Sequence, residues 1–219
     1  MVWRIDDPQG NESGKILWET VQYTRGQGLD LGCGPNKVWP HAIGVDNYTA
    51  TAQFGTPMKP DVVSDCAKLQ VFGSASMDWV YSSHLLEHIQ DTAAALKEWW
   101  RVLKPGGHLI LYLPHKDHYP NIGQPGANPD HKHDFLPQDI VDHMRDVGAW
   151  DLVRNEDRAD GREAPVQSQA AAAHKARRGV ALRSVRRCDP GIQHPAGAER
   201  AGLSRHLLLH AQDAGCPAP

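Results

Sequence analysis

Leu29-Asp30-Leu31-Gly32-Cys33-Gly34, followed at Ile43-Gly44-Val45-Asp46 by a second apolar run closing on an acid, decides the fold of this chain. A short apolar strand that breaks into Gly-x-Gly makes a turn whose backbone can press against a ligand without side-chain interference. An acid at the end of the next strand offers two acceptor oxygens to a vicinal diol. The pair describes a pocket for a nucleoside with a charged or polar tail.

A nicotinamide dinucleotide fits poorly. Its fingerprint needs a third glycine for close helix–strand packing, and Lys37 stands at that position. Asp46 also comes early, twelve residues after Gly34, where the dinucleotide pattern expects about twenty.

Outward from this core, Met77 to Ser82 reads as a strand and Thr92 to Leu103 as a helix, with Ala95, Leu96, Trp99, Val102 and Leu103 on one face. Lys104-Pro105-Gly106-Gly107 stops the helix, and His108 to Pro114 reads as a buried strand, which completes a βαβ unit. Ahead of the core, Asn11 to Thr24 reads as an amphipathic lead-in helix. Pro35 to His41 is too short and proline-flanked for a full helix between the first two strands, and Asp61 to Asp65 supplies the third strand.

In this order the segments Gly28–Asp46, Asp61–Asp65, Asp78–His88 and Arg101–Pro114 resemble the class I S-adenosylmethionine-dependent methyltransferases, in particular a small bacterial branch. The resemblance runs from about Glu12 to about Val153. It implies an α/β fold with a doubly wound, mostly parallel Rossmann-like sheet, S-adenosyl-L-methionine as cofactor, and methyl transfer to a small-molecule or carbohydrate-like acceptor. Oxygen is the expected acceptor atom, because the Asn/Asp-Pro-Pro-Tyr signature of amine methylation is missing after the fourth strand. By the same resemblance Gly32, Cys33 and Gly34 approach the methionine portion, and Asp30 orients their loop or meets the ammonium through water. Asp46 binds the ribose hydroxyls, Asp65 the adenine amine and Cys66 the adenine face, with Ser82 also at the cofactor. A catalytically degenerate protein that binds cofactor or a partner without turnover is the alternative.

Histidines mark the acceptor side. His84 at the strand-to-helix corner and His115 just past the fifth strand are the candidate catalytic residues, since a near-neutral imidazole can orient or deprotonate a hydroxyl. His84-x-x-Glu87-His88 also fits the pattern of inverted zinc peptidases, but a strand runs directly into it where that site needs a helix. Ubiquinone-biosynthesis O-methyltransferases resemble this corner at Glu87 and His88 and carry an acid in place of His84. That replacement disfavours a hard cation, so the expectation is no metal, with Glu87 and His88 hydrogen-bonding to fix the corner. A second cluster, His115-Lys116-Asp117-His118-Tyr119 with Asp130-His131-Lys132-His133-Asp134-Phe135, lies beyond the strand ends, where such sheets bind substrate. Its histidines and acids could hold a metal, but no CxxC or helical HxxxH spacing supports one, and solvated polar loop is the alternative.

A chain of 219 residues has room for one α/β domain with a sizeable core. The four cysteines form no CxxC pair, the net charge of −3 gives no reason to invoke nucleic acid, and no apolar run suits a membrane span; a cytoplasmic protein with reduced thiols is expected. Composition then changes abruptly. All fifteen aromatic residues lie before residue 151, while residues 164–219 carry eight basic and three acidic side chains and none of the aromatics. The expected division is a methyltransferase domain over 1–163 and a disordered Ala/Arg/Pro-rich tail over 164–219. That composition matches GC-rich DNA read in a shifted frame, and the sheet is accordingly expected to lack a normal final strand.

Overall fold

A computed structural model describes residues 13–47, 58, 60–158 and 180–187. A 3-10 turn at Ser13–Ile16 leads into α1 (Leu17–Thr20), then β1 (Gly28–Leu31), β2 (Ile43–Asp46), β3 (Val62–Val63) and β4 (Met77–Ser83). A short 3-10 turn, Leu86–His88, precedes α2 (Thr92–Val102) and β5 (Leu103–Pro114), followed by α3 (Pro137–Arg145), β6 (Trp150–Arg158) and β7 (Val180–Arg187). The sheet runs β3-β2-β1-β4-β5-β7-β6. Its first five members are parallel, and β7 pairs antiparallel with both β5 and β6. Strand order reverses between β1 and β4, the switch point of a doubly wound sheet. None of the described helices is long and apolar enough to cross a membrane.

Alternation along the central strands sorts the core into two layers. Leu109, Leu111 and Leu113 of β5 join Val80 of β4 and the apolar face of α2 (Ala95, Leu96, Trp99, Val102). Ile110 and Tyr112 join Trp79 and Tyr81 with Ile16 and Leu17 on the opposite face. Gly28 is required where it stands, because a Cβ there would lie 2.0 Å from the Trp79 indole. Asp91 starts α2 by accepting the Ala94 N–H at 2.9 Å. At its other end Arg101 donates to the Leu69 and Phe72 carbonyls, each at 3.0 Å, and fastens the connection that follows β3.

Two expectations about extent are corrected. The lead-in helix is one turn of 3-10 and one of α over Ser13–Thr20, and residues 1–12 lie outside the described residues. Strand β5 begins at Leu103, with an irregularity between the Met77↔Leu103 and Trp79↔His108 pairs that takes up the Pro-Gly-Gly segment.

The larger correction concerns the final strand. Instead of lacking one, the sheet receives β7 between β5 and β6, in register from Pro114↔Val180 to His108↔Arg186. Without it the β5 edge would present unpaired backbone groups. Val185 is buried against the α2 and α3 side of the core. Arg187 sets its guanidinium 3.6 Å from the Trp100 ring centroid and donates to the carbonyls of Trp100 and Leu103. Those carbonyls end α2, where a cation is favoured. The aromatic-poor composition misled because a strand flanked on both sides needs β-branched residues and backbone pairing more than aromatics. This strand runs against the consequence expected of a shifted reading frame, a sheet without its final strand. Residues 159–179 and 188–219, with the short helix expected near Leu203–Leu209, lie outside the described residues.

Arg187→Ala should therefore lower stability by about 1–3 kcal/mol in urea unfolding, from the lost ring contact and carbonyl bonds. Arg145→Ala, at an exposed pair with Asp142, should change it by less than about 0.5 kcal/mol. Equal effects would show that β7 is not held by this anchor.

Candidate functional site

The carboxyl ends of β1, β2 and β4 collect most of the expected cofactor residues. Asp30, on the fully buried strand β1, turns its carboxylate to the loop that follows and accepts the Val38 N–H at 2.5 Å. Burial pushes its pKa up to about 7, against the lowering effect of the Val38 bond and nearby Lys37, with Asp46 adding to the rise. Lys37 spans the same loop, donating to the Ala42 carbonyl at 2.9 Å and to Asp61 at 2.8 Å, and its ammonium holds Asp61 below the usual carboxylate range. A glycine at position 37 could make neither bond.

Beyond Leu31 the backbone turns through two left-handed residues, Gly32 (φ +69°) and Gly34 (φ +53°). The Gly32 N–H donates to the Val45 carbonyl at 2.9 Å, and the Gly34 N–H to Asp46 Oδ2 at 3.0 Å. The turn after β1 and the acid ending β2 are thus tied together. Asp46 Oδ1 accepts the Asn47 N–H at 2.8 Å, and each oxygen keeps a second lone pair. Among the described residues, a Cβ placed on Gly34 would meet only the Met58 sulfur, at 4.0 Å. That open face beside a half-buried acid suits a ligand carrying vicinal hydroxyls and lying against bare backbone.

The other cofactor candidates are placed differently. Asp65 is exposed, caps its own turn through the Ala67 N–H at 2.9 Å and stands 3.5 Å from Lys68. Cys33 and Cys66 are buried; the Cys66 thiol points to the Val45 carbonyl at 3.5 Å, and burial pushes its pKa up to about 12. The Ser82 hydroxyl is fully buried beside β1, paired with Leu31, and has no hydrogen-bond partner among the described residues.

Among the expected acceptor-side residues, His84 adopts φ +50°, with its N–H bonded to the Tyr112 carbonyl at 2.9 Å. Its Nδ1 lies 3.5 Å from Glu87 Oε1. His115 is buried and accepts the Asp117 N–H at Nδ1, 3.1 Å away. Acceptance there favours the neutral tautomer with its proton on Nε2. The Glu87 carboxylate, 1% exposed, makes no hydrogen bond among the described residues, so the expected corner-fixing bonds are not formed. Instead His88 and His131 approach it, each with Nε2 3.9 Å from Oε1. His131 is buried, and burial holds its imidazole below the usual histidine range more strongly than Glu87 raises it. No spacing rule joins residues 87 and 131, so only the fold reveals their contact.

Residues 29–111 match the methyltransferase domain family. A trans-aconitate 2-methyltransferase of Azoarcus sp. (strain BH72) is 30% identical over 39% of this chain and 38% of its own length. A malonyl-[acyl-carrier protein] O-methyltransferase of Erwinia billingiae (strain Eb661) is 28% identical over 55% of this chain and 54% of its own. The chain therefore spans between about two fifths and about half the length of these curated relatives. The crystal structure of a SAM-dependent methyltransferase from Archaeoglobus fulgidus superposes with a TM-score of 0.57 at 17% identity, covering 80% of this chain and 92% of that one. The fold is that of the class I S-adenosylmethionine-dependent methyltransferases, and residues 29–111 carry the match to the methyltransferase domain family. S-adenosylmethionine is the cofactor of that family, and the Gly32–Gly34 turn with Asp46 fits it.

The buried Asp30 gives a pH test. Between its unfolded value near 4 and its folded value of about 7, the native state retains a proton that the unfolded chain has released, so stability falls as pH rises through that window. Asp30→Asn keeps an oxygen acceptor for Val38 but cannot ionise. Its stability relative to the parent should rise between pH 4 and 7, by on the order of a few kcal/mol. A pH-independent difference would show that Asp30 does not titrate in this way.

Proposed function

We propose that this chain transfers the sulfonium methyl group of S-adenosylmethionine to an oxygen of a small-molecule or carbohydrate-like acceptor. The observation that carries this reading is the direct bond between the Gly-x-Gly turn and Asp46, set beside histidine-lined ends of β4 and β5. Choice of oxygen draws on a relative named as an O-methyltransferase and on the missing amine signature.

When bound, the cofactor supplies an already activated methyl group, so the protein's task is alignment for in-line displacement. Asp46 accepts from the ribose hydroxyls through its remaining lone pairs, while the Gly32–Gly34 backbone lies along the methionine portion. Asp30 keeps that loop in place through Val38. Asp65, one strand further out, is the candidate partner of the adenine amine, and Ser82 lies beneath the same edge. His84, with Nδ1 3.5 Å from Glu87 Oε1, is the candidate base, oriented by that carboxylate. His115, carrying its proton on Nε2, is suited to donate to the acceptor and orient it.

Asp46→Ala should weaken S-adenosylmethionine binding by roughly 2–4 kcal/mol in calorimetry, through loss of two charge-assisted bonds. Parent-like affinity would remove the ribose assignment, and preferential binding of NAD would remove the cofactor. His115→Ala should leave cofactor affinity nearly unchanged and slow turnover at least tenfold with any accepted substrate. Tight cofactor binding without turnover across a broad acceptor screen would favour the degenerate alternative.

A further inference from the structure

Glu87 stands where β4 turns toward α2, and both its oxygens are buried without a hydrogen-bond donor among the described residues. A buried carboxylate in that state calls for a compensating cation. No lysine or arginine forms an ion pair with it among the described residues. Its neighbours are imidazoles: His84 Nδ1 at 3.5 Å, and His88 and His131 Nε2 at 3.9 Å each. Imidazole nitrogens are common metal ligands.

The set is built rather than incidental. The Glu87 carbonyl accepts the Lys132 N–H at 2.7 Å and the His133 N–H at 3.2 Å, which delivers His131 to the carboxylate from a segment far along the chain. Tyr119 stacks on the His131 ring at 5.5 Å, and the His88 ring meets it edge-on at 4.7 Å. One ligand atom from each of Glu87, His88 and His131 falls within 4.8 Å of the others.

We propose that Glu87, His88 and His131 together bind one divalent transition-metal ion of the zinc type. Two imidazoles and one carboxylate suit zinc, iron or nickel, while magnesium and calcium favour all-oxygen sets. Tetrahedral zinc with bonds of about 2.1 Å holds its donors roughly 3.4 Å apart, so modest side-chain rotation closes the triad on an ion. Three protein ligands leave a fourth position for water or another ligand, as in a catalytic rather than a structural site. The site shares Glu87 with the His84 base proposed above.

Titrating metal-free full-length protein with Co²⁺ tests it. The expected result is one Co²⁺ per chain with the visible ligand-field bands of nitrogen and oxygen coordination, displaced by Zn²⁺ and accompanied by a rise in Tm. His131→Gln and Glu87→Gln should each weaken Co²⁺ binding at least tenfold, with His118→Gln unchanged. Circular dichroism and thermal unfolding of each metal-free variant report folding. Should either buried position fail to fold, His88→Gln at the half-buried edge carries the test. Absence of stoichiometric binding, or binding untouched in the folded triad variants, would overturn the site. Neither result bears on cofactor affinity, which calorimetry with S-adenosylmethionine reads separately.

Discussion

Burial of β1 on both faces is the constraint from which the rest of the molecule follows. All four of its residues are enclosed, so the chain leaving it must reverse sharply under a layer of loop. A left-handed turn at Gly32 and Gly34 accomplishes this, and the acid within the strand has nowhere to ionise cheaply except against the Val38 N–H. The proposed cofactor edge is thus a by-product of how a central parallel strand ends. The polar groups collected there are those the turn itself needs.

The same logic extends to the neighbouring strand ends. Loops leaving β4 and β5 converge because parallel strands emit their chains on one side of the sheet. His84 and His115 therefore share a rim, and the segment around His131 is laid across it by bonds to the Glu87 carbonyl. The proposed cofactor and acceptor edges meet at the switch point between β1 and β4.

Legibility in the sequence followed the range of the interactions. The Gly-x-Gly turn, the strand-ending acids and the α2 stripe are written in consecutive or helically spaced residues, and those readings carried the parallel half of the sheet. Strand β7 escaped because its signal is long-range: a pairing partner on each side and one arginine on a distant tryptophan. Glu87 was read as a corner residue because its consecutive neighbours could bond to it, yet its environment is set by side chains from elsewhere. Asp65 shows the opposite limit, since an acid at a strand end has the same local appearance whether it caps its own turn or faces a ligand.

Placement of β7 has a consequence for synthesis. The strand that emerges last among the described elements sits inside the sheet, with β6 outside it. On a growing chain the five parallel strands and α2 can assemble first, since each pairs with partners already made. Strand β6 then waits without a docking position, and the β5 edge stays open, until Val180–Arg187 leaves the ribosome. Ligand-binding geometry would be in place before the fold has closed its own flank. That interval is when the nascent protein is most exposed to edge-to-edge association.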